Sequence, residues 1–83
     1  MEYRYVGRSG LRVSPICMGT MSFGTWSDRK ESFKILEKVY DRGINFFDTA
    51  EVYPVPPTVE LAGVTEEIFG EWIKTKPRDS LII

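Results

Sequence analysis

The chain opens on an alternation of period two. Tyr3, Tyr5, Leu11 and Val13 are separated by polar residues and flank the turn-forming run Gly7-Arg8-Ser9-Gly10. This pattern predicts a β-hairpin over residues 1–14 with one covered face, laid like a lid on something larger. Pro15 ends the alternation, and Ile16-Cys17-Met18 follows as a continuous apolar run. Such a run predicts an interior strand, here one that finishes in Gly19-Thr20-Met21. The period then lengthens. Asp28 and Glu31 have the spacing of a capping box, and Phe33, Leu36, Val39 and Tyr40, widened by Ile35, recur at three- and four-residue intervals. They predict an amphipathic helix whose solvent face carries Arg29, Lys30, Lys34, Glu37 and Lys38.

Gly43 is the predicted helix stop. Behind it Ile44 to Phe47, interrupted only by Asn45, reads as a strand of a parallel sheet, buried on both faces and ending at Asp48. The stretch from Pro54 to Gly63 is a long connection stiffened by Pro54, Pro56 and Pro57 toward polyproline geometry. Thr65 is the expected cap of a second helix, with Glu66 and Glu67 in its first turn and Val64 and Phe69 spaced as a hydrophobic staple. Ile68, Phe69, Trp72 and Ile73 form its inner stripe. Pro77 forbids continuation, and Arg78-Asp79 turns into a third strand, Leu81-Ile82-Ile83. Strand, helix, strand, helix, strand is the rhythm of a parallel α/β arrangement with right-handed crossovers.

Composition narrows the function classes. Eleven basic against twelve acidic residues leave a net charge of −1, and the basic ones are scattered, so neither a nucleic-acid footprint nor a polybasic membrane surface is expected. Histidine is absent, which removes Ser/His and Cys/His catalysis and the commonest zinc ligand; no metal set is read. Cys17 is the only cysteine, so a disulfide framework is excluded and a reducing, cytoplasmic setting is expected. No run has the form of a secretory leader or the length to span a bilayer.

The candidate chemistry sits at the end of the central strand. Strand carboxyl ends are where α/β folds gather binding and catalytic groups. Asp48 is followed five positions later by Tyr53. A phenol ordinarily titrates near pH ~10, and it can serve as an acid only where a neighbouring cation stabilises its anion. An aspartate would hold that cation. From spacing alone a second reading stands beside this one: Asp48 caps a turn and Tyr53 is an amphipathic loop aromatic.

The run Asn45-Phe46-Phe47-Asp48-Thr49-Ala50-Glu51-Val52-Tyr53 resembles the signature of the aldo-keto reductases. Gly7 to Ser14 and Ile16 to Gly24 resemble that family's amino-terminal hairpin and first barrel strand, and Glu66-Glu67-Ile68-Phe69-Gly70 its second-helix motif. The proline-rich loop after Tyr53 is longer than in many members and is similar to that of bacterial and archaeal NADP-dependent ones. It implies a distinct rim, a neutral insertion or a polyproline docking site.

The resemblance implies a (β/α)8 TIM barrel, which needs ~250 residues. The 83 residues then read as one incomplete domain: the hairpin 1–14 and the first barrel units, 15–83, cut in the third strand. Also implied are NADP(H) as cofactor, a small-molecule carbonyl substrate interconverted with an alcohol, and Tyr53 as proton donor. Asp48 would pair with a lysine just beyond Ile83, with a histidine later still. Gly19, Thr20, Met21 and Asp48 fall at the nicotinamide nucleotide, and Trp26 lines the substrate pocket or packs under its loop. The segment by itself is expected to be inactive, with unpaired strand edges that invite aggregation. Oligomeric state is left open. Two rivals stand: a regulatory, channel-subunit-like protein that keeps the reductase fold, and a barrel enzyme of unrelated chemistry such as an aldolase or isomerase.

Overall fold

Alternation and the glycine turn produce the expected hairpin, though a short one. In the computed structural model, which describes residues 1–83, β1 (Arg4–Tyr5) pairs antiparallel with β2 (Arg12–Val13). Of the face expected to be covered, only Val13 is buried, while Tyr5 is 63% exposed and Leu11 is exposed. Side-chain polar bonds hold the hairpin down instead. Tyr3 Oη donates to Gly43 O at 2.7 Å. The amide of Ser14 donates to Asn45 Oδ1 at 2.7 Å, Asn45 Nδ2 donates to Arg12 O at 3.0 Å, and the Asn45 amide donates to Ser14 Oγ at 3.2 Å.

β3 (Cys17–Gly19) and β4 (Phe46–Asp48) run parallel, with Cys17 opposite Phe46, Met18 opposite Phe47 and Gly19 opposite Asp48. The third predicted strand is reduced to one rung. Ile82 bridges Phe46 in parallel, donating its amide to Asn45 O at 2.8 Å and accepting from the Phe47 amide at 2.9 Å. The expected turn before it is a 3₁₀ turn, Arg78–Ser80.

Helix α1 (Arg29–Asp41) starts as its sequence predicts, with Asp28 accepting from the Glu31 amide at 2.8 Å. Its end is a Schellman arrangement. The Gly43 amide bonds Tyr40 O and the Ile44 amide bonds Val39 O, which requires the left-handed backbone, φ +92°, that Gly43 supplies. Helix α2 (Val64–Ile73) begins one residue before the expected cap, with Gly63 at its amino end. Thr65 therefore lies inside the first turn. Fully buried there, its hydroxyl donates to Phe23 O at 2.6 Å rather than to its own helix. Val64, now a helical residue, is not the outer arm of a staple.

Both helices cover the same face of the strands. Phe47, Leu36, Ile68, Phe69, Trp72, Leu81 and Phe23 form the buried core, with Met18 packed against it. Trp72 stacks on Phe69 and meets Tyr40 edge-on, while its indole donates to Glu37 Oε1 at 2.9 Å. Arg29 pairs with Glu71 across the two helices. Because side chains alternate along a strand, Cys17, Gly19, Phe46 and Asp48 face the other way. That face is open, and Cys17 and Asp48 are exposed. Burial on both faces of β4, expected from its apolar run, is thus met on one face only, since α1 and α2 are the two covering helices and both lie on the Phe47 side. No helix is long and apolar enough to cross a membrane.

Candidate active site

Asp48 closes β4 at its carboxyl end, and its carbonyl is the anchor of the site. Thr20 gives it two bonds, from its amide at 3.2 Å and its hydroxyl at 2.7 Å. Thr20 is fully buried, and with amide and hydroxyl spent on Asp48 it shapes the site without presenting either group to a ligand. Beyond Asp48 the chain turns, the Tyr53 amide bonding Ala50 O at 3.1 Å. This return brings Tyr53 Oη to donate to Asp48 Oδ2 at 3.2 Å.

The electrostatics of this pair run against acid chemistry as it stands. The bond to Asp48, and then the charge of that carboxylate, hold the Tyr53 phenol above its ordinary range, since both favour the neutral form. Asp48 meets no cation: the ion pairs of the chain are Arg29–Glu71 and Lys76–Glu37. Its charge is felt on the open face too. The Cys17 thiol, although the residue is exposed, is pushed up first by partial loss of water around it and then by Asp48.

Around the pair, a Cβ built on Gly19 would meet nothing within 4 Å. Met21 exposes its side chain and accepts from the Val55 amide through its carbonyl at 2.8 Å. Trp26 is 73% exposed and borders no cavity. Thr49 Oγ1 is a buried polar atom without a partner. No group of three or more Cys, Asp or Glu side chains is arranged to hold a metal.

The proline-rich stretch is no polyproline rod. Residues 54–56 are a run of bends, Pro54 is fully buried, and Val55 is bonded through both its main-chain groups to the loop after β3. Local sequence gave no sign of these cross-links. Asn45 is a polar interruption of the apolar run Ile44–Phe47, and its side-chain partners, Ser14 and Arg12, lie in the hairpin.

The chain thus joins parallel β-α-β connectivity to an Asp–Tyr pair at a strand's carboxyl end. The Aldo/keto reductase family pattern matches residues 15–83. The chain is 51% identical over 72 residues to the uncharacterized oxidoreductase YrpG of Bacillus subtilis (strain 168), covering 87% of this chain and 21% of that protein. It is 40% identical over 84 aligned positions to Protein tas of Escherichia coli (strain K12), covering 100% and 24%. To a probable voltage-gated potassium channel subunit beta of Arabidopsis thaliana it is 43% identical over 75 residues, covering 89% and 21%. The chain belongs to the Aldo/keto reductase family, and it spans between a fifth and a quarter of the length of these relatives.

Proposed function

We propose that this chain supplies the amino-terminal strands of a (β/α)8 barrel, and that the whole protein is an NADP(H)-dependent oxidoreductase interconverting aldehydes or ketones with alcohols. One observation carries the reading: Tyr53 Oη stands 3.2 Å from Asp48 Oδ2 at the carboxyl end of β4. Membership of the reductase family and the oxidoreductase name of YrpG support it.

The residues fit a nicotinamide nucleotide. Gly19 leaves the sheet face beside Asp48 open to a flat ring, Met21 is exposed next to it, and Thr49 Oγ1 has a bond to spare. The cofactor, when bound, supplies the hydride for the carbonyl carbon. Tyr53 supplies the proton for the carbonyl oxygen. In its present hydrogen bond the phenol keeps that proton and points it at Asp48, so a cation must take up the carboxylate's charge before Tyr53 can turn to a substrate. Family resemblance assigns that cation to a lysine at the end of the third strand, past Ile83. Asp48 then orients the lysine, and the lysine makes the phenol acidic. Reduction accordingly needs residues outside this segment, and an unpaired Cys17 accords with a reducing cytoplasm.

In the full-length protein, Tyr53→Phe is expected to lower NADPH-dependent reduction of an aromatic aldehyde by a factor of about 10²–10⁴, with the NADPH Kd close to wild type. Undiminished turnover in that variant would remove Tyr53 as the donor. A second reading rests on the channel-subunit relative: a regulatory protein that keeps the reductase fold. It predicts retained nucleotide with slow wild-type turnover on every carbonyl tried, so the same assay separates the two.

A further inference from the structure

The segment that carries Tyr53 is tied to the loop after β3 at both of its ends. At Asp48 the tie is Thr20, through amide and hydroxyl. At Val55 it is a clasp: the Val55 amide donates to Met21 O at 2.8 Å, and Val55 O accepts from Thr25 Oγ1 at 2.7 Å. The Thr25 hydroxyl has one other acceptor nearby, Ser22 O at 3.5 Å, at the limit of useful bonding, so its proton belongs to Val55.

The loop that makes this clasp is itself fixed. Thr65 Oγ1 holds Phe23 O at 2.6 Å. Gly24, at φ +113°, lies so close to α2 and the proline segment that a Cβ there would stand 2.8 Å from Val64 Cγ1 and 3.2 Å from Pro54 Cγ. Pro54, between Tyr53 and Val55, is fully buried. A stiff anchor on one side therefore faces a pinned residue on the other, with Tyr53 two positions before the pin.

We propose that Thr25 is a positioning residue: its hydroxyl locks Val55, and through Val55 it fixes where the Tyr53 phenol stands relative to Met21 and Asp48. Its kinetic consequence rests on the reductase reading above, whereas the clasp itself does not. Reacting groups displaced by about 1 Å lose much of their rate. Loss of the Thr25 hydroxyl leaves the Thr20–Asp48 tie intact, so the cofactor side is spared and the proton-donor side is loosened.

The test uses the full-length protein with Thr25→Val, which removes the hydroxyl and keeps the shape, and Thr25→Ser, which keeps the hydroxyl. For Thr25→Val, kcat for NADPH-dependent reduction of an aromatic aldehyde is expected to fall about fivefold, the equivalent of one net hydrogen bond, with the NADPH Kd unchanged. Thr25→Ser is expected to restore kcat. Amide exchange at Val55, followed by mass spectrometry, is expected to quicken in Thr25→Val and not in Thr25→Ser. Wild-type kcat in Thr25→Val overturns the proposal, as does an equal loss in both variants or an unchanged Val55 exchange rate. If the wild-type protein reduces no carbonyl, the reductase reading fails on its own, and Val55 exchange still decides the clasp: quickening upholds it and no change refutes it.

Discussion

Replacing Asn45 by alanine should release the amino-terminal hairpin from the sheet. The side chain makes two bonds, accepting from the buried Ser14 amide at 2.7 Å and donating to Arg12 O at 3.0 Å. They are unequal. Arg12 is exposed, and its carbonyl regains a water partner when the amide is removed. Ser14 is 1% exposed, so its N–H is left without a partner, and a buried unpaired donor costs about 1–3 kcal/mol. The expected loss in docking free energy is therefore about 2 kcal/mol, a factor of about 30 in the population of the lifted hairpin. The amide at position 45, bonded to Ser14 Oγ at 3.2 Å, becomes free to exchange only on lifting, so its exchange rate in the full-length protein reads that population directly. Asn45→Asp keeps an acceptor for Ser14 but loses the donor to Arg12, and should fall between the two. An exchange rate at position 45 close to wild type in Asn45→Ala would refute the latch and return the docking of the hairpin to Val13 and to the Tyr3–Gly43 bond.

Two further predictions concern stability. Glu37 accepts from Lys76 Nζ at 2.8 Å and from the Trp72 indole at 2.9 Å; these bonds, Lys76 first, hold its carboxyl below the usual carboxylate range. A lowered folded value contributes stability above the unfolded value, near pH ~4.3, and that contribution is lost as pH falls through the folded one. With its side chain 47% exposed, Glu37 is worth under about 1 kcal/mol. Urea unfolding should show a small wild-type advantage over Glu37→Gln at pH 7 that narrows at pH 3, and a gap that widens in acid would contradict the assignment. Gly24→Ala should cost about 1–3 kcal/mol by the same measurement, from the left-handed backbone and the Val64 contact. Gly10→Ala, which meets open space, should be nearly neutral, and equal effects at the two positions would show that the loop around Gly24 is not held as described.

Local chemistry was legible in the sequence and distant pairing was not. The Asp28 cap, the Gly43 stop and the inner stripe of α2 follow from spacings within one element, and the parallel partnership of β3 with β4 follows from the order strand, helix, strand. Thr65 departs from its expected cap position because the preference of threonine for caps is local, while its actual partner, Phe23 O, lies 42 residues away. Asn45 and Ser14 are 31 residues apart, and Thr25 and Val55 are 30 apart, with no periodicity to join them. For the proline run, backbone preference alone predicts polyproline geometry. What shapes it is the burial of Pro54 and the two main-chain bonds of Val55.

β4 shows how few residues are needed to separate stability from chemistry. Asn45 at its amino end fastens the hairpin, Phe47 fills the core between Phe69 and Trp72, and Asp48 at its carboxyl end meets Tyr53. Alternation makes these assignments interdependent. Phe47 must point at the helices, so Asp48 must point away from them, onto the open face where Gly19 leaves room. A one-residue slip of register would turn the carboxylate into the aromatic core and the phenyl ring into the site, at a cost no loop could offset. The same logic predicts that the two ends can be perturbed separately. Loosening the hairpin through Asn45 acts at the amino end of the strands, where family barrels carry stability, and should leave the Asp48–Tyr53 bond in place, because Phe47 stays locked in the core between them.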